Sequence, residues 1–488
     1  MLDKISVVGG GTAGLIAALI LKNRFPKINI SMIRSSRIGI IGVGEGSTEH
    51  WNEFMRYIGV PFERIIKECD ATFKAGIMFR GWSNQDYMHS IGPEHEVKNG
   101  QYHSVYGKLI SDQYPNKAIN PSLSWENRIY EHRLNLENGP PWNQYHFNTN
   151  KLNEFLTKLA IEKNILITDD EILDVVLDNT GSIDHLIGET NTYKSDFYID
   201  STGFKRVLIS KLGAKWNSYS KYLKMNSAIT FPLEDTAEYN MWTVSQAMDY
   251  GWMFNIPVWG RSGNGYIFDS NYITPDQAKD EVERFLGKEI NVGKTLKFDP
   301  GALDQVWIKN CCAIGLSSSF VEPLEATSIG TSIQQTFLLM HRLPNYDEDT
   351  IEKYNKDIND ILLNIRDFVV LHYITKKDNT QFWRDIQNMP IPDSLAKNLK
   401  RWRKNLPIAD DFKESTDYKL FSDAHYIQIL AGLKLFDVDL IRKEYDLMHP
   451  AIKQIAENSI REKYTFEKIN SSVGHKQYID YVRTLSKK

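Results

Sequence analysis

The run Ile5-Ser6-Val7-Val8 passes directly into Gly9-Gly10-Gly11-Thr12-Ala13-Gly14 and then into an apolar stretch from Leu15 to Lys22. Strand, glycine turn and helix in that order leave the N-terminus few folds to adopt. The spacing is GxGxxG, and each glycine serves a separate purpose. Gly9 permits the tight turn, Gly11 lets backbone approach a pyrophosphate, and Gly14 allows close helix–strand contact. The helix expected at Leu15 to Lys22 turns its N–H groups and positive dipole end toward the anion. The chain therefore opens with a dinucleotide-binding unit. The second strand, Ile30-Ser31-Met32-Ile33, ends in Arg34, followed by Ser35 and Ser36, where an acidic residue ordinarily takes the ribose hydroxyls. An arginine there suits a 2′-phosphate or lies along the adenosine, so these residues alone leave FAD and NADP both open.

The rest of the first ~340 residues alternates β-branched runs with helical stretches, the pattern of an α/β body. Further strands are expected at Ile28–Ile33, Ile165–Ile167, Phe197–Asp200 and Ala313–Leu316. Residues 84–140 read as an irregular insertion, and 250–270 as a hairpin with Asn264-Gly265 in the turn. Helical spacing dominates later, over Ile329 to Leu343, Ile351 to Tyr373 and His425 to Leu435. The expected division is an α/β body at 1–340 and a helical layer at 341–488.

Composition narrows the function. A chain of 488 residues with 42% apolar and 25% charged side chains is of ordinary globular type. Its net charge of −4 gives no footprint for nucleic acid. No uncharged run of ~18 residues is present for a membrane span. The cysteines are Cys69, Cys311 and Cys312, an odd count with two adjacent, so a disulfide framework is not expected and a reducing, cytoplasmic setting is. No metal site is expected.

Four further segments carry chemistry. Ile41-Gly42-Val43-Gly44-Glu45-Gly46-Ser47-Thr48 is a second glycine-rich strap. Lys74 lies in Ala71-Thr72-Phe73-Lys74-Ala75-Gly76-Ile77, where Phe73, Ile77 and Phe79 look half-buried; a desolvated lysine can act as a neutral amine or a directed donor. Gly251-Trp252-Met253-Phe254-Asn255-Ile256-Pro257 places bulky rings on alternate positions of a strand. Phe320-Val321-Glu322-Pro323-Leu324-Glu325-Ala326-Thr327-Ser328-Ile329 leads into a helix and follows Cys312-Ala313-Ile314-Gly315-Leu316-Ser317. A Glu-x-Thr-Ser sequence there also makes an ordinary helix cap.

Together these segments resemble the flavin-dependent halogenases related to tryptophan halogenases, from residue 7 to about 384. The aromatic strand resembles the family's WxWxIP signature, with Phe254 in place of the second tryptophan. Supporting segments are Tyr145-His146-Phe147, Asp200 to Phe204, and Leu371-His372-Tyr373 with Thr380, Phe382 and Trp383.

The resemblance implies an FAD-binding Rossmann-like three-layer domain with an added β-sheet and a C-terminal helical layer. It implies FAD held by Gly9, Gly11, Thr12, Ala13, Gly14, Arg34, Gly42, Val43, Gly44, Glu45, Gly315, Leu316 and Ile329. A separate flavin reductase would supply reduced FAD (FADH2). A halide ion would be bound by the Thr327 and Ser328 amides. Trp252, Phe254, Ile256 and Pro257 would line the channel that keeps substrate from the flavin. Hypohalous acid would pass to Lys74, and Glu325 would serve as the catalytic carboxylate. The expected substrate is a small electron-rich aromatic of indole or phenol type. The set that holds free tryptophan is not matched near Tyr418, Phe421 or Tyr426. Halide preference and assembly state, a homo-oligomer included, stay open. The rival readings are an NADPH-fed FAD-dependent aromatic monooxygenase and a non-catalytic flavin-binding protein.

Overall fold

The computed structural model describes residues 2–42, 46–84, 86–90, 128–130, 144–412, 419–454 and 472–485. Most of the expected insertion, the strap residues Val43, Gly44 and Glu45, and Tyr418 lie outside them. The chain forms two compact units, each assembled from three stretches: Met1–Ala71, Asn143–Ser220 and Asp299–Leu363 in one, and Thr72–Trp142, Lys221–Phe298 and Asn364–Lys488 in the other. The division at residue 340 follows the change from strands to helices, whereas the compact units follow packing.

The first unit is built on a six-stranded sheet in the order Trp307–Ile308, Cys311–Ala313, Phe197–Asp200, Lys4–Val8, Asn29–Arg34 and Leu166–Asp169. All neighbours run parallel except the short edge strand. Parallel strands need covered faces, and the helices supply the cover. In helix Thr12–Arg24, Leu15 through Leu21 are all fully buried. Such a helix is apolar all round and has to be enclosed. Helices Thr149–Glu162 and Thr327–Arg342 pack against it. Each buried leucine or isoleucine there contributes about 1.5–3 kcal/mol.

Two aspartates fix the loops at the strand ends. Asp200, fully buried, accepts hydrogen bonds from Thr202 N (3.0 Å) and Oγ1 (2.7 Å), Leu208 N and Ile209 N (both 2.9 Å) and Ser317 Oγ (3.1 Å). Asp170 follows strand Leu166–Asp169, and its backbone N–H donates to Arg34 O at 2.9 Å. Its carboxylate collects Tyr193 Oη (2.7 Å), Thr190 Oγ1 (2.9 Å), Glu171 N (2.9 Å) and Asn191 N (3.1 Å).

The second unit holds a seven-stranded sheet in the order Lys294–Lys297, Ser227–Glu234, Arg261–Phe268, Gly251–Val258, Thr243–Ala247, Gly76–Arg80 and Tyr87–Ser90. One pairing, Thr243–Ala247 with Gly76–Arg80, is parallel. Met253, Tyr266 and Phe268 on one face pack with Ala278 and Val282 of helix Pro275–Leu286, which starts in a Thr274–Gln277 capping box. Because side chains alternate along a strand, Trp252, Phe254 and Ile256 point to the opposite face. The turn of this hairpin lies at Trp259-Gly260, with Gly260 left-handed at φ +86°. Asn264-Gly265, expected as the turn, is inside the strand: Asn264 pairs with Asn255 and Gly265 with Phe254. Helices Gln381–Gln387, Asp393–Trp402, Asp423–Gly432, Val438–Leu447 and His475–Thr484 complete the unit.

The three cysteines are buried and form no disulfide among the described residues. Phe197–Asp200 recurs as expected, and the other expected strands and helices recur with shifts of up to three residues. The largest is Ala313–Leu316, where the strand is Cys311–Ala313 and Gly315–Ser317 already turns as a 3₁₀ helix.

Burial opposes the charge on Asp170, but hydrogen bonds from Tyr193, Thr190 and Glu171 together outweigh it and hold the carboxyl at about 2. A depressed carboxyl stabilises the fold above its unfolded value near 3.8 and loses that contribution as pH falls toward 2. Asp170→Ala is expected to cost about 2–3 kcal/mol at pH 7. In urea melts the deficit should shrink steadily between pH 4 and 2. An equal deficit at pH 7 and pH 2 contradicts this account.

Candidate functional site

In the first unit the cradle is shaped by what its glycines exclude. Gly9 has φ +113°, and a Cβ there would lie 2.2 Å from Ser201 O. At Gly14 a Cβ would meet Gly9 O at 2.3 Å and Ser201 Oγ at 2.4 Å, so Ser201, held by its Oγ bond to Val8 O, sets the closeness of turn and helix. Nothing stands within 4 Å of a Cβ at Gly11, whose backbone caps helix Thr12–Arg24 without a side-chain cap. An open glycine, a left-handed glycine and an uncapped helix start fit a pyrophosphate. Arg34 lies across Gly10, whose Cβ would touch the arginine Cδ at 2.6 Å, and Nη1 donates to Thr157 Oγ1 at 3.2 Å.

Another motif segment of this unit meets that turn. Gly315, at φ +71°, packs so closely on Ala13 that a Cβ would sit 2.4 Å away. Leu316 follows it in the same 3₁₀ turn. Gly42 is left-handed at φ +64°. Gly46 bridges His146 and faces the Ala326 methyl, 3.1 Å from its own missing Cβ. A Cβ at Gly330 would strike Thr48 Oγ1 at 2.2 Å. Gly46 and Thr48 thus lie against the start of helix Thr327–Arg342.

That helix start is unusual. Its capping residue is Ala326 in the left-handed region, φ +55° and ψ 35°, and no side chain caps it. The ordinary capping role considered for Glu325, Thr327 and Ser328 is therefore not the one they play. A residue with a Cβ pays about 1 kcal/mol or more for that conformation, so the surroundings must hold it. Glu325 is 3% exposed at the end of the Pro323–Glu325 turn, and Thr327 and Ile329 are buried. Thr331 and Ser332 hydroxyls donate back to the Thr327 and Ser328 carbonyls. The amides of this first turn face out along the helix dipole.

In the second unit Lys74 ends the strand Thr72–Lys74 and is 2% exposed, with Phe73, Ala75, Ile77 and Phe79 buried around it. The expectation of half-buried flanks was too weak; they are core. Thr72 Oγ1 donates to Pro257 O at 2.6 Å, tying this strand to the aromatic one. There Trp252 and Phe254 are 1% and 7% exposed, with ring centroids 6.2 Å apart. The Phe254 ring covers its cross-strand partner Gly265, where a Cβ would be 2.5 Å from the ring. Ile256 and Pro257 continue the buried strand.

Sequence inspection missed a second aromatic group in this unit. His89 pairs across from Ile77. Its ring lies 5.2 Å from Phe368 and 5.4 Å from His425, and Phe368 stacks on Phe421 at 3.9 Å. The signal was present only as scattered His and Phe in three separate stretches. His372 is fully buried and bonds the Phe368 carbonyl through Nδ1 at 2.8 Å. Trp383 Nε1 donates to Met248 O, and Thr380 Oγ1 to Asp249 O.

Comparison with known proteins identifies the family. A family model described as tryptophan halogenase matches residues 4–442. The 7-chloro-L-tryptophan 6-halogenase of Kutzneria sp. is 31% identical over 446 residues, 82% of this chain and 85% of that protein. The tryptophan 6-halogenase of Streptomyces toxytricini is 29% identical, covering 84% and 85%. Among solved structures, a tryptophan halogenase from Shewanella frigidimarina superimposes with TM-score 0.90 at 25% identity over 99% of this chain and 98% of that one. A flavin-dependent halogenase from Xanthomonas campestris gives 0.86 at 28% over the same shares. This chain belongs to the tryptophan halogenase family, whose members are flavin-dependent enzymes of the oxidoreductase class.

Proposed function

We propose that this protein halogenates a small electron-rich aromatic compound, of indole or phenol type, with Lys74 delivering the oxidised halogen. The observation that carries the reading is the burial of Lys74 at 2% exposure among apolar neighbours. Burying a lysine this deeply requires surroundings that satisfy its amine, and chemistry that needs a directed donor gives a reason to keep it there.

The residues that would hold FAD are Gly9, Gly11, Thr12, Ala13, Gly14 and Arg34 at the first turn, Gly42 to Glu45 in the strap, and Gly315, Leu316 and Ile329. When bound and reduced by a partner reductase, the flavin would supply the two electrons and two hydrogens with which O2, a halide ion and a proton give hypohalous acid and water, leaving the flavin oxidised. The Thr327 and Ser328 amides hold the halide at the uncapped helix start. Trp252, Phe254, Ile256 and Pro257 keep the organic substrate from the flavin.

Lys74 hydrogen-bonds the hypohalous acid and orients its halogen. The aromatic carbon forms the carbon–halogen bond as the halogen–oxygen bond breaks. The departing hydroxide takes a proton from Lys74 and leaves as water, and Glu325 takes the ring proton. Solvent exchange restores both side chains, and the sum is arene plus hypohalous acid giving haloarene plus water. Fixed orientation is what distinguishes this from reaction with dissolved oxidant. The rings of His89, Phe368, Phe421 and His425 favour an aromatic substrate, since they lie in the same unit as Lys74 and His89 pairs with Ile77 of the next strand, Gly76–Arg80. The rival monooxygenase reading loses ground because hydroxylation requires neither the aromatic strand Gly251–Val258 nor the loop from Phe320 to Ser328.

Lys74→Ala is expected to lower formation of halogenated indole or phenol by at least about 10²-fold while FAD affinity, read by fluorescence titration, stays within about 2-fold. Glu325→Gln should lose about 10²-fold with the fold intact. A Lys74→Ala protein that halogenates at the wild-type rate refutes the role.

Product mass should change with the halide offered, and no product should form when halide is omitted. NADPH without a reductase should leave the bound flavin oxidised. Hydroxylated product in halide-free buffer would favour the monooxygenase instead.

A further inference from the structure

A strand of three residues cannot fix a side chain through its own ladder, so the placement of Lys74 depends on its neighbours. Each is tied separately. Thr72 Oγ1 bonds Pro257 O at 2.6 Å, and Ala75 N bonds Met241 O at 2.5 Å. The third tie is different in kind. Phe73 N, adjacent to Lys74, donates to the side chain of His475 at Nε2, 3.0 Å away and 402 residues along the chain. His475 lies beyond residue 442, where the family match ends.

His475 is fully buried and is the first residue of helix His475–Thr484. Its ring stacks on that of Phe73, with centroids 6.0 Å apart and planes 29° apart, and Tyr478 lies 5.9 Å from the same ring. The helix is anchored at both ends. Lys476 Nζ reaches Asp235 at 3.0 Å and Tyr239 Oη at 2.8 Å. Trp259 Nε1 donates to Asp480 at 2.9 Å, and the Arg483 guanidinium lies 3.6 Å over the Trp259 ring. An imidazole nitrogen that accepts a hydrogen bond carries no proton, which places the proton of the neutral ring on Nδ1. Burial, opposed by the backbone of Tyr239 and Asn240 beside the ring, pushes the imidazole down to about 4. The ring is therefore neutral under ordinary conditions.

We propose that His475 is a positioning residue for Lys74: by accepting the Phe73 N–H and stacking on the Phe73 ring, it fixes the strand that aims the amine. The inference rests on the reading of Lys74 as the residue that delivers halogen. Without the acceptor the strand would turn to satisfy its amide elsewhere, and displacement of a reacting group by about 1 Å can cost about 10²-fold. The oxidant would still be made but would escape unused.

The test uses the full chain with a generic flavin reductase, bromide, and indole or phenol as substrate. It records halogenated product per reduced flavin oxidised, and escaped oxidant with a 1,3-diketone trap. His475→Phe keeps a buried ring without an acceptor, and His475→Gln keeps an acceptor without the ring. His475→Leu takes the place of the phenylalanine variant if that protein does not fold.

The expected result for His475→Phe is a fall of about 10–10²-fold in product per flavin, a matching rise in trapped oxidant, and little change in FAD affinity. His475→Gln should recover most of the product yield. Two outcomes overturn the proposal: an unchanged yield in His475→Phe, or equal losses in both variants accompanied by weaker FAD binding and a lower Tm. Lys74→Ala, run alongside, separates the two claims. Wild-type halogenation by that protein removes the underlying reading. Its inactivity beside a fully active His475→Phe removes only the present one.

Discussion

A lysine that is almost wholly buried, on a strand of three residues, is the constraint around which the second unit is arranged. Taking an ammonium out of water is unfavourable by several kcal/mol unless its surroundings compensate. Short strands are also weak scaffolds. The second difficulty is met by a set of hydrogen bonds from the residues on either side of Lys74 to separate elements. Rigid packing around a costly charge is a common trait of sites whose chemistry needs orientation.

The first unit solves a different problem, that of presenting bare backbone. Gly9, Gly14, Gly46, Gly315 and Gly330 each stand where a Cβ would collide with a neighbour at about 3 Å or less, and those neighbours belong to the other motif segments. Close approach of five chain segments leaves amides and helix ends as the working surface in place of side chains. Ala326 is the exception that marks the place, a residue with a Cβ in the left-handed region immediately after Glu325. Glycine would adopt that conformation more easily. The methyl group is instead packed against Gly46, so the strain and the contact come together.

These two modes explain what could be read from the chain alone. The dinucleotide turn was legible because backbone chemistry demands glycine at fixed spacing, and spacing is a local property. Lys74 and Glu325 stood out through their flanking residues, which are also local. The hairpin turn was misplaced because Asn-Gly is the usual residue pair for such turns. Here Asn264 serves a cross-strand pair and Gly265 a ring. The cluster of His89, Phe368, Phe421 and His425 was invisible, since its members meet only after separate stretches have packed. His475 was more remote still, with its partner 402 residues away.

The contact between Phe254 and Gly265 bears on how the aromatic strand can vary. Where relatives are expected to carry tryptophan, this chain has a phenyl ring lying directly on a bare Cα, with no room for even a methyl group beneath it. Ring size on one strand and side-chain size on the next are therefore a single variable. Descendants of this sequence that restore an indole at 254, or grow a side chain at 265, would have to change both positions in step or move the strands apart.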